Sequence, residues 1–364
     1  MNITILTSYD RISLFHTLKP FLFHRGSFRF TFTDSVEKCM NKDRNTNLLV
    51  MRLPHVENQI EVFQALRRKY DRLVLLNDGA AAGINNFELL PLVDRFIVKS
   101  MLRDRTQYSK PLYRSRLFTD YYHRTTGVTD PDMKEKHGNA LGDGLLYTEE
   151  DLNKLRLGWN IGVGDFPRQD LRQRAGVFIA RVFTPKLSRF NFRRSLPKFS
   201  EPGGSSNAGK RDISVHARLG SIPKPSVNKQ RELFLSLVDG DSRFVTGSIP
   251  KKQYDEQMRR SLMTLSPFGW GEVCFRDFEA LFAGTLLLKP NMAHLNTWPD
   301  IYKPGETYVP LSWNGEDLLK TVEYYQSHSR ERSDIVKNAQ EMFKSQIEQL
   351  PQRFCNILEE AFKD

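Results

Sequence analysis

Along the first hundred residues, apolar and polar positions alternate between two patterns. The runs "NITILTS", "NLLVMRL", "RLVLLND" and "DRFIVKS" are short and apolar, which predicts buried strands. Between them, "NQIEVFQALRRKY" sets Ile60, Phe63, Leu66 and Tyr70 at three-to-four spacing, the pattern of an amphipathic helix. Strands alternating with helices imply a parallel sheet covered on both faces.

From about Tyr121 to Asp165 the alternation stops. "TGVTDPDMKEKHGNALGDG" is polar and turn-rich, and "EEDLNKLRLGWNIGVGDFPRQ" carries glycines near its end, as a hinge or interdomain segment would. "EPGGSSNAGK" reads as a linker or mobile loop. The pattern then resumes. "DISVHARLG", "SRFVTG", "SLMTLSP", "GTLLLKP" and "GETYVPLSW" predict strands, and "KQRELFLSLV" and "KKQYDEQMRR" predict helices among them. "EDLLKTVEYYQ" and "DIVKNAQEMFKSQIEQL" close the chain as helices. The expectation is an α/β protein of two Rossmann-like domains facing across a cleft: residues 1–165, residues 166–345, and a C-terminal helix over 346–364.

Length agrees, because 364 residues exceed what one core usually supports. Charge adds a constraint. The net charge of +11 suits an anionic partner, although the stretches in which part of it is concentrated, "RSRLFTDYYHR", "RFNFRRSLPK" and "KPSVNKQR", read equally as solvated faces. The three cysteines are far apart, without metal-ligand spacing, as in a reducing compartment. No basic leader with an apolar core opens the chain, and no apolar run approaches the ~20 residues of a membrane span. A cytoplasmic protein is expected.

The chemistry concentrates in "SPFGWGEVCFRDFEALFAGTLLLKP", residues 266–290. On a helix, Glu272, Arg276 and Glu279 would share one face, while Phe275, Phe278, Leu281 and Phe282 would dock the other on the sheet. Gly269 and Gly271 would let the backbone approach a ligand. Such a helix starts above the carboxyl ends of the strands, where its unpaired N–H groups suit phosphate. Arg276 adds a forked donor, and Glu279 one turn on could accept two ribose hydroxyls. Glu272 fits better against a sugar hydroxyl than beside phosphate. The plain alternative is a Glu–Arg–Glu stripe of ion pairs on a solvated face, worth a few tenths of a kcal/mol.

"GEVCFRDFEALFAGTLLLKP" resembles the C-terminal signature of GT-B-type glycosyltransferases, nearest to the exostosin-like group: an arginine, two residues, Glu-Ala-Leu, then a glycine before an apolar strand. Here these are Arg276, Glu279, Ala280, Leu281 and Gly284. The resemblance extends over roughly 212–330. "TGSIPKKQYDEQMRRS" is similar to the loop that meets the nucleobase, and "VHARLGS" to the first strand and phosphate-facing loop of the donor domain.

The resemblance implies a nucleotide-diphosphate sugar as donor and a hexose-like residue moved to a glycan or glycolipid acceptor, in a role such as polysaccharide biosynthesis. It assigns Glu279 to the ribose, Arg276 to the diphosphate or donor sugar, and Gly247, Ser248, Ile249 and Tyr254 to the base. Arg218 becomes a second phosphate contact, and Gly271 and Glu272 border the donor. Position 271, eight before Glu279, is a glycine where retaining families carry a glutamate. Inversion without metal or other cofactor is therefore expected, with the last helices bracing the N-terminal domain.

An inverting transfer needs a base near the acceptor hydroxyl. Asp78 in "VLLNDGAA" and Asp10 after "ITILTSY" stand at strand ends, with His16 next, although an aspartate before glycine is equally a turn-former. The Asp-x-Asp triplets Asp130/Asp132 and Asp239/Asp241 lie in turns, poor places for a metal. His216 reads as a packed core histidine. No P-loop, third dinucleotide glycine or Gly-x-Ser-x-Gly elbow occurs. No nucleic-acid motif occurs either, so nucleic acid is not the expected partner. The basic patches suit an acidic acceptor or peripheral contact with anionic membrane. The rival readings are a non-catalytic basic α/β module holding nucleic acid or a phosphorylated ligand, and a sugar-nucleotide hydrolase or epimerase of the same fold.

Overall fold

A computed structural model describes residues 1–41, 47–53, 58–83, 86–131, 147–166, 170–193, 195–202 and 211–363. Most of the expected loop "EPGGSSNAGK" and much of "TGVTDPDMKEKHGNALGDG" lie outside these residues.

The N-terminal sheet is parallel throughout. It is built from β1 (Asn2–Thr7), β2 (Arg29–Thr33), β3 (Asn47–Arg52), β4 (Arg72–Asn77), β5 (Arg95–Val98) and, skipping β6 (Ser100–Leu102), β7 (Leu155–Leu157), in the order β2-β1-β3-β4-β5-β7. Leu48, Leu49, Val50, Leu73, Val74 and Leu76 are fully buried, because helices cover both faces of the central strands. Sequence pattern missed the two edge strands. β2 buries mainly Phe30, and β7 is only three residues long within a glycine-rich stretch.

The C-terminal sheet comprises β8 (Ile213–His216), β9 (Phe244–Val245), β10 (Ser261–Leu265), β11 (Leu286–Pro290) and, after β12 (Leu295–Thr297), β13 (Val309–Leu311). Its order is β13-β11-β10-β8-β9, again parallel. The fold is that of two Rossmann-like domains facing across a cleft, the GT-B arrangement.

Two devices lock the domains together. β6 pairs antiparallel with β12, joining 100–102 to 295–297. One apolar cluster also runs from Leu48, Phe63 and Phe96 of the first domain to Phe268, Phe278 and Phe343 of the second.

The helix Ser329–Glu348 leaves the C-terminal domain, and the helix Leu350–Phe362 returns to the first. There Phe354 meets Phe21 at 4.9 Å and Trp159 at 5.5 Å between ring centroids. Arg353 donates to the carbonyls of Leu157 and Gly158. The helix Asp170–Val182 packs on the N-terminal domain as well. A Cβ at Gly176 would lie 2.6 Å from the Phe15 ring, and Arg181 donates to the Tyr9 carbonyl at 2.9 Å.

Removing Phe354 leaves a cavity among these rings. Phe354→Ala is expected to lower stability by about 3–5 kcal/mol, read from urea unfolding. A loss within error would show that the terminal helix does not brace the first domain.

Candidate active site

A cavity of about 750 Å³ lies where the carboxyl ends of the two sheets face each other. Its walls follow from the strands. Arg52 ends β3, Asp78 and Lys99 directly follow β4 and β5, Arg218 comes two residues after β8, and 269–276 follow β10. An open parallel sheet leaves its ligand crevice at this place, because the chain diverges there to opposite faces.

The C-terminal wall is built around the helix Phe275–Ala283, which ends where Gly284 adopts φ 67°. The helix starts later than the sequence suggests. Cys274 is its cap, and the Asp277 carboxylate accepts from the Cys274 N–H at 2.9 Å. Asp277 is fully buried and also bonds Ser266 at 2.5 Å, the Tyr302 hydroxyl at 2.7 Å and Lys289 at 3.0 Å. One cap N–H expected to be open to phosphate is therefore occupied, and Arg276 and Arg231 line the cavity beside the helix.

Arg276 reaches the cavity, with Nε on Ser266 at 3.2 Å and Nη2 on the Pro267 carbonyl at 3.1 Å. Arg231 is held similarly, by the carbonyls of Phe268 at 2.8 Å and Gly220 at 2.5 Å. The bonds that hold the two guanidinium groups among the described residues go to carbonyls and a hydroxyl instead of carboxylates. Burial, with Arg276 close by, lowers the Arg231 pKa to about 10, still charged at neutral pH. Two arginines fixed by carbonyls keep N–H groups free for an anion.

Glu279 also lines the cavity. Lys251 donates to it at 2.9 Å and the Tyr254 hydroxyl at 3.1 Å, while Lys251 sits 4.4 Å from the Tyr254 ring centre. Arg218 grips Gln257 at 2.9 Å and the Thr246 carbonyl, next to Gly247, whose φ of 83° places it in the left-handed region. Ile249 and Tyr254 reach the cavity, whereas Gly247 and Ser248 stand outside its lining.

On the facing wall Asp78 is buried and bonded to Thr17 at 2.5 Å, Arg52 at 2.7 Å and Lys99. Burial opposes its charge, but Lys99 and Arg52 outweigh burial and hold its pKa below the ordinary carboxylate value. An acceptor hydroxyl would have to displace one of these partners before Asp78 could take its proton, so the geometry favours an anchoring role over the expected base. Asp10 is a clearer correction. It accepts from the Ile12 and Ser13 N–H groups at 2.7 and 2.8 Å, pairs with Arg52, and does not line the cavity. His16 is buried, with Nδ1 on the Ile161 carbonyl at 2.9 Å.

Glu272 is also corrected. It precedes the helix instead of sharing its face, is 1% exposed, and accepts from the Ala82 N–H of the other domain at 3.3 Å. Gly271 serves the same contact, since a Cβ there would overlap the Ala80 carbonyl. The Asp-x-Asp triplets have structural uses: Asp130 accepts from the Ser226 N–H at 2.9 Å across the domain boundary, and Asp241 pairs with Arg243 at 2.6 Å. Asp132 lies outside the described residues. His216 is fully buried in the core, and burial followed by Arg276 and Arg218 lowers its pKa to about 4, so it stays neutral.

Arg52, Lys99, Arg116, Arg231 and Lys251 were not among the residues singled out from sequence. Arg52 and Lys99 had a usable signal, since each stands at the carboxyl end of a predicted strand. Arg231 lies on the helix Pro225–Leu237, and only the fold brings it beside Arg276.

Residues 237–349 match the family described as "Glycosyl transferase-like". No curated protein matches the chain. Solved structures similar in fold include HepE of Anabaena in complex with UDP and glucose, 11% identical over 98% of this chain and 99% of that one, with a TM-score of 0.46. A glycosyltransferase from Rickettsia africae is 8% identical over 100% and 99%, with a TM-score of 0.45. The pneumococcal O-GlcNAc transferase GtfA, in complex with UDP and GlcNAc, is 10% identical over 88% of this chain and 58% of that one, with a TM-score of 0.44.

Because the Asp78 pKa is depressed on folding, its contribution to stability is present above the unfolded carboxylate pKa and is lost as pH falls through the lower folded value. Asp78→Asn should therefore destabilise at neutral pH and leave a shallower loss of stability below about pH 4, measured by urea unfolding across pH. An unchanged acid limb would show that Arg52 and Lys99 do not hold the carboxylate.

Proposed function

We propose that this protein is a glycosyltransferase that moves a hexose-like sugar from a nucleotide-diphosphate donor to a glycan or glycolipid acceptor. The observation that carries the reading is the pairing of Arg276 and Arg231, both bound to carbonyls, with Glu279 one turn beyond Arg276 in the same cavity. That set suits a diphosphate next to a ribose diol. The family match over 237–349 supports the same class. The closer likeness to exostosin-like enzymes rests on the Arg276–Gly284 signature.

In this reading the bond from the sugar anomeric carbon to the β-phosphate oxygen breaks as the acceptor oxygen bonds to that carbon, and the acceptor proton passes to solvent water. Negative charge grows on the departing diphosphate. Arg276, Arg231 and Arg218 are placed to stabilise it, the service a divalent ion gives elsewhere. Glu279 holds the ribose, with Lys251 and Tyr254 fixing its carboxylate. Ile249 and Tyr254 flank the base.

Inversion is the stereochemistry we favour. Where retaining relatives carry a glutamate, the backbone of Ala80 fills the space beside Gly271, and the adjacent Glu272 points into the domain interface. Asp78 orients Lys99 and Arg52 on the acceptor side, which suits an acceptor bearing negative charge.

A charged hydrogen bond is worth about 1.5–3 kcal/mol, so Arg276→Ala and Arg231→Ala should each weaken nucleoside diphosphate binding by roughly 10- to 100-fold. Calorimetric titration against a panel of nucleoside diphosphates reads this, and Glu279→Gln should weaken nucleoside diphosphates more than pyrophosphate. If no nucleoside diphosphate raises the melting temperature of the wild type, or no labelled sugar reaches any acceptor, the proposal fails.

A further inference from the structure

Outside the cleft, one surface departs from ordinary solvent-facing chemistry. Among the described residues, half of the large apolar side chains that stand exposed fall within 171–196: Leu171, Phe178, Val182, Phe183, Leu187, Phe190 and Leu196. Exposures of 83% for Leu171 and 74% for Phe190 mean that these side chains project outward instead of lining a groove. Exposed apolar residues scattered singly need no explanation, but a contiguous group does.

The helix Asp170–Val182 shows how the group arises. Gln173, Gly176 and Ala180 face inward and are buried, which leaves Leu171, Phe178 and Val182 on the opposite stripe. Phe192 then turns inward, stacking on Phe15 at 4.4 Å, while its neighbour Phe190 stays out. Phe23, 46% exposed, packs edge-on to Phe192 and widens the same surface.

The charge along this stretch is mostly of one sign. Between 170 and 200 the chain carries eight basic residues and one acidic, so this stretch supplies +7 of the net +11. Two of these cations serve the fold: Arg172 pairs with Asp165 at 2.5 Å, and Arg181 holds the Tyr9 carbonyl. Arg174, Lys186 and Arg189 are exposed.

We propose that the 171–196 surface docks on an anionic lipid bilayer, with Phe178, Phe183 and Phe190 entering the headgroup–acyl boundary and Arg174, Lys186 and Arg189 meeting lipid phosphates. An amphipathic helix with bulky apolar tips and a basic rim has this affinity, and its two terms reinforce each other. Phe and Arg are enriched at protein interfaces as well, and the excess of eight basic residues over one acidic along 170–200 is what favours an anionic bilayer. The surface borders the cleft. Ile12, 39% exposed, lines the cavity only three residues beyond the Tyr9 carbonyl that Arg181 holds. A membrane-bound acceptor would thus arrive at the acceptor side, although the docking itself does not depend on the transfer activity.

Vesicle flotation tests the proposal with the full chain. The wild type is expected to float with vesicles of phosphatidylcholine and phosphatidylglycerol, far less with phosphatidylcholine alone, and less as salt rises. Phe178→Ser, Phe183→Ser and Phe190→Ser combined should cut the partition at least about 10-fold, with an unchanged melting temperature. Arg174→Glu with Lys186→Glu should cut it on anionic vesicles. Equal flotation of wild type and the triple variant overturns the proposal, as does equal binding to neutral vesicles. A wild-type dimer in sedimentation that the triple variant returns to monomer, without flotation of either, assigns the surface to a second copy and also overturns it.

Discussion

Like charges crowded into one cleft are the constraint on which this architecture turns. Arg52, Lys99, Arg116, Arg218, Arg231, Lys251 and Arg276 line a single cavity against two carboxylates, Asp78 and Glu279. Bringing cations together in a partly dry space costs free energy, and the pKa of Arg231 is lowered first by burial and then by Arg276. The fold offsets it locally. Carbonyls hold Arg231 and assist Arg276, while Asp78 compensates Arg52 and Lys99. What remains is a preorganised excess of positive charge, which a bound anion would relieve.

Such a site needs walls that do not drift apart. The continuous apolar cluster, the β6–β12 ribbon and the returning terminal helix give the two domains a shared interior. Small polar contacts then set the spacing. Glu272 reaches the Ala82 N–H, Gly271 lets the Ala80 backbone close in, and Asp130 caps Ser226 across the boundary. Residues that resemble chemistry in the sequence therefore serve assembly. No helix among the described residues is long and apolar enough to cross a membrane.

Much of the fold could be read from the chain, and part of the site could not. The buried strands β1, β3, β4, β10 and β11 announce themselves because a strand covered on both faces must be apolar throughout. The edge strands β2 and β7 escaped notice, since an edge needs little apolar surface. Arg276 and Glu279 were singled out by a resemblance carried within one helix, since their spacing alone also suits an ion-paired stripe. Glu272 was misplaced because a helix start depends on its cap, and here the cap is Cys274, fixed by the buried Asp277 and its partners from 266, 289 and 302.

By itself the sequence determined two alternating α/β units, a basic balance, and a cation and carboxylate one helical turn apart, because periodicity and composition are written along the chain. Tertiary structure alone decided that Arg231 joins Arg276, that Lys251 and Tyr254 hold Glu279, that Asp78 is bound by two cations, and that Asp10 and Glu272 stand outside the cavity lining. Those outcomes rest on contacts between segments far apart in sequence, whose distances and partners follow from how the two sheets pack.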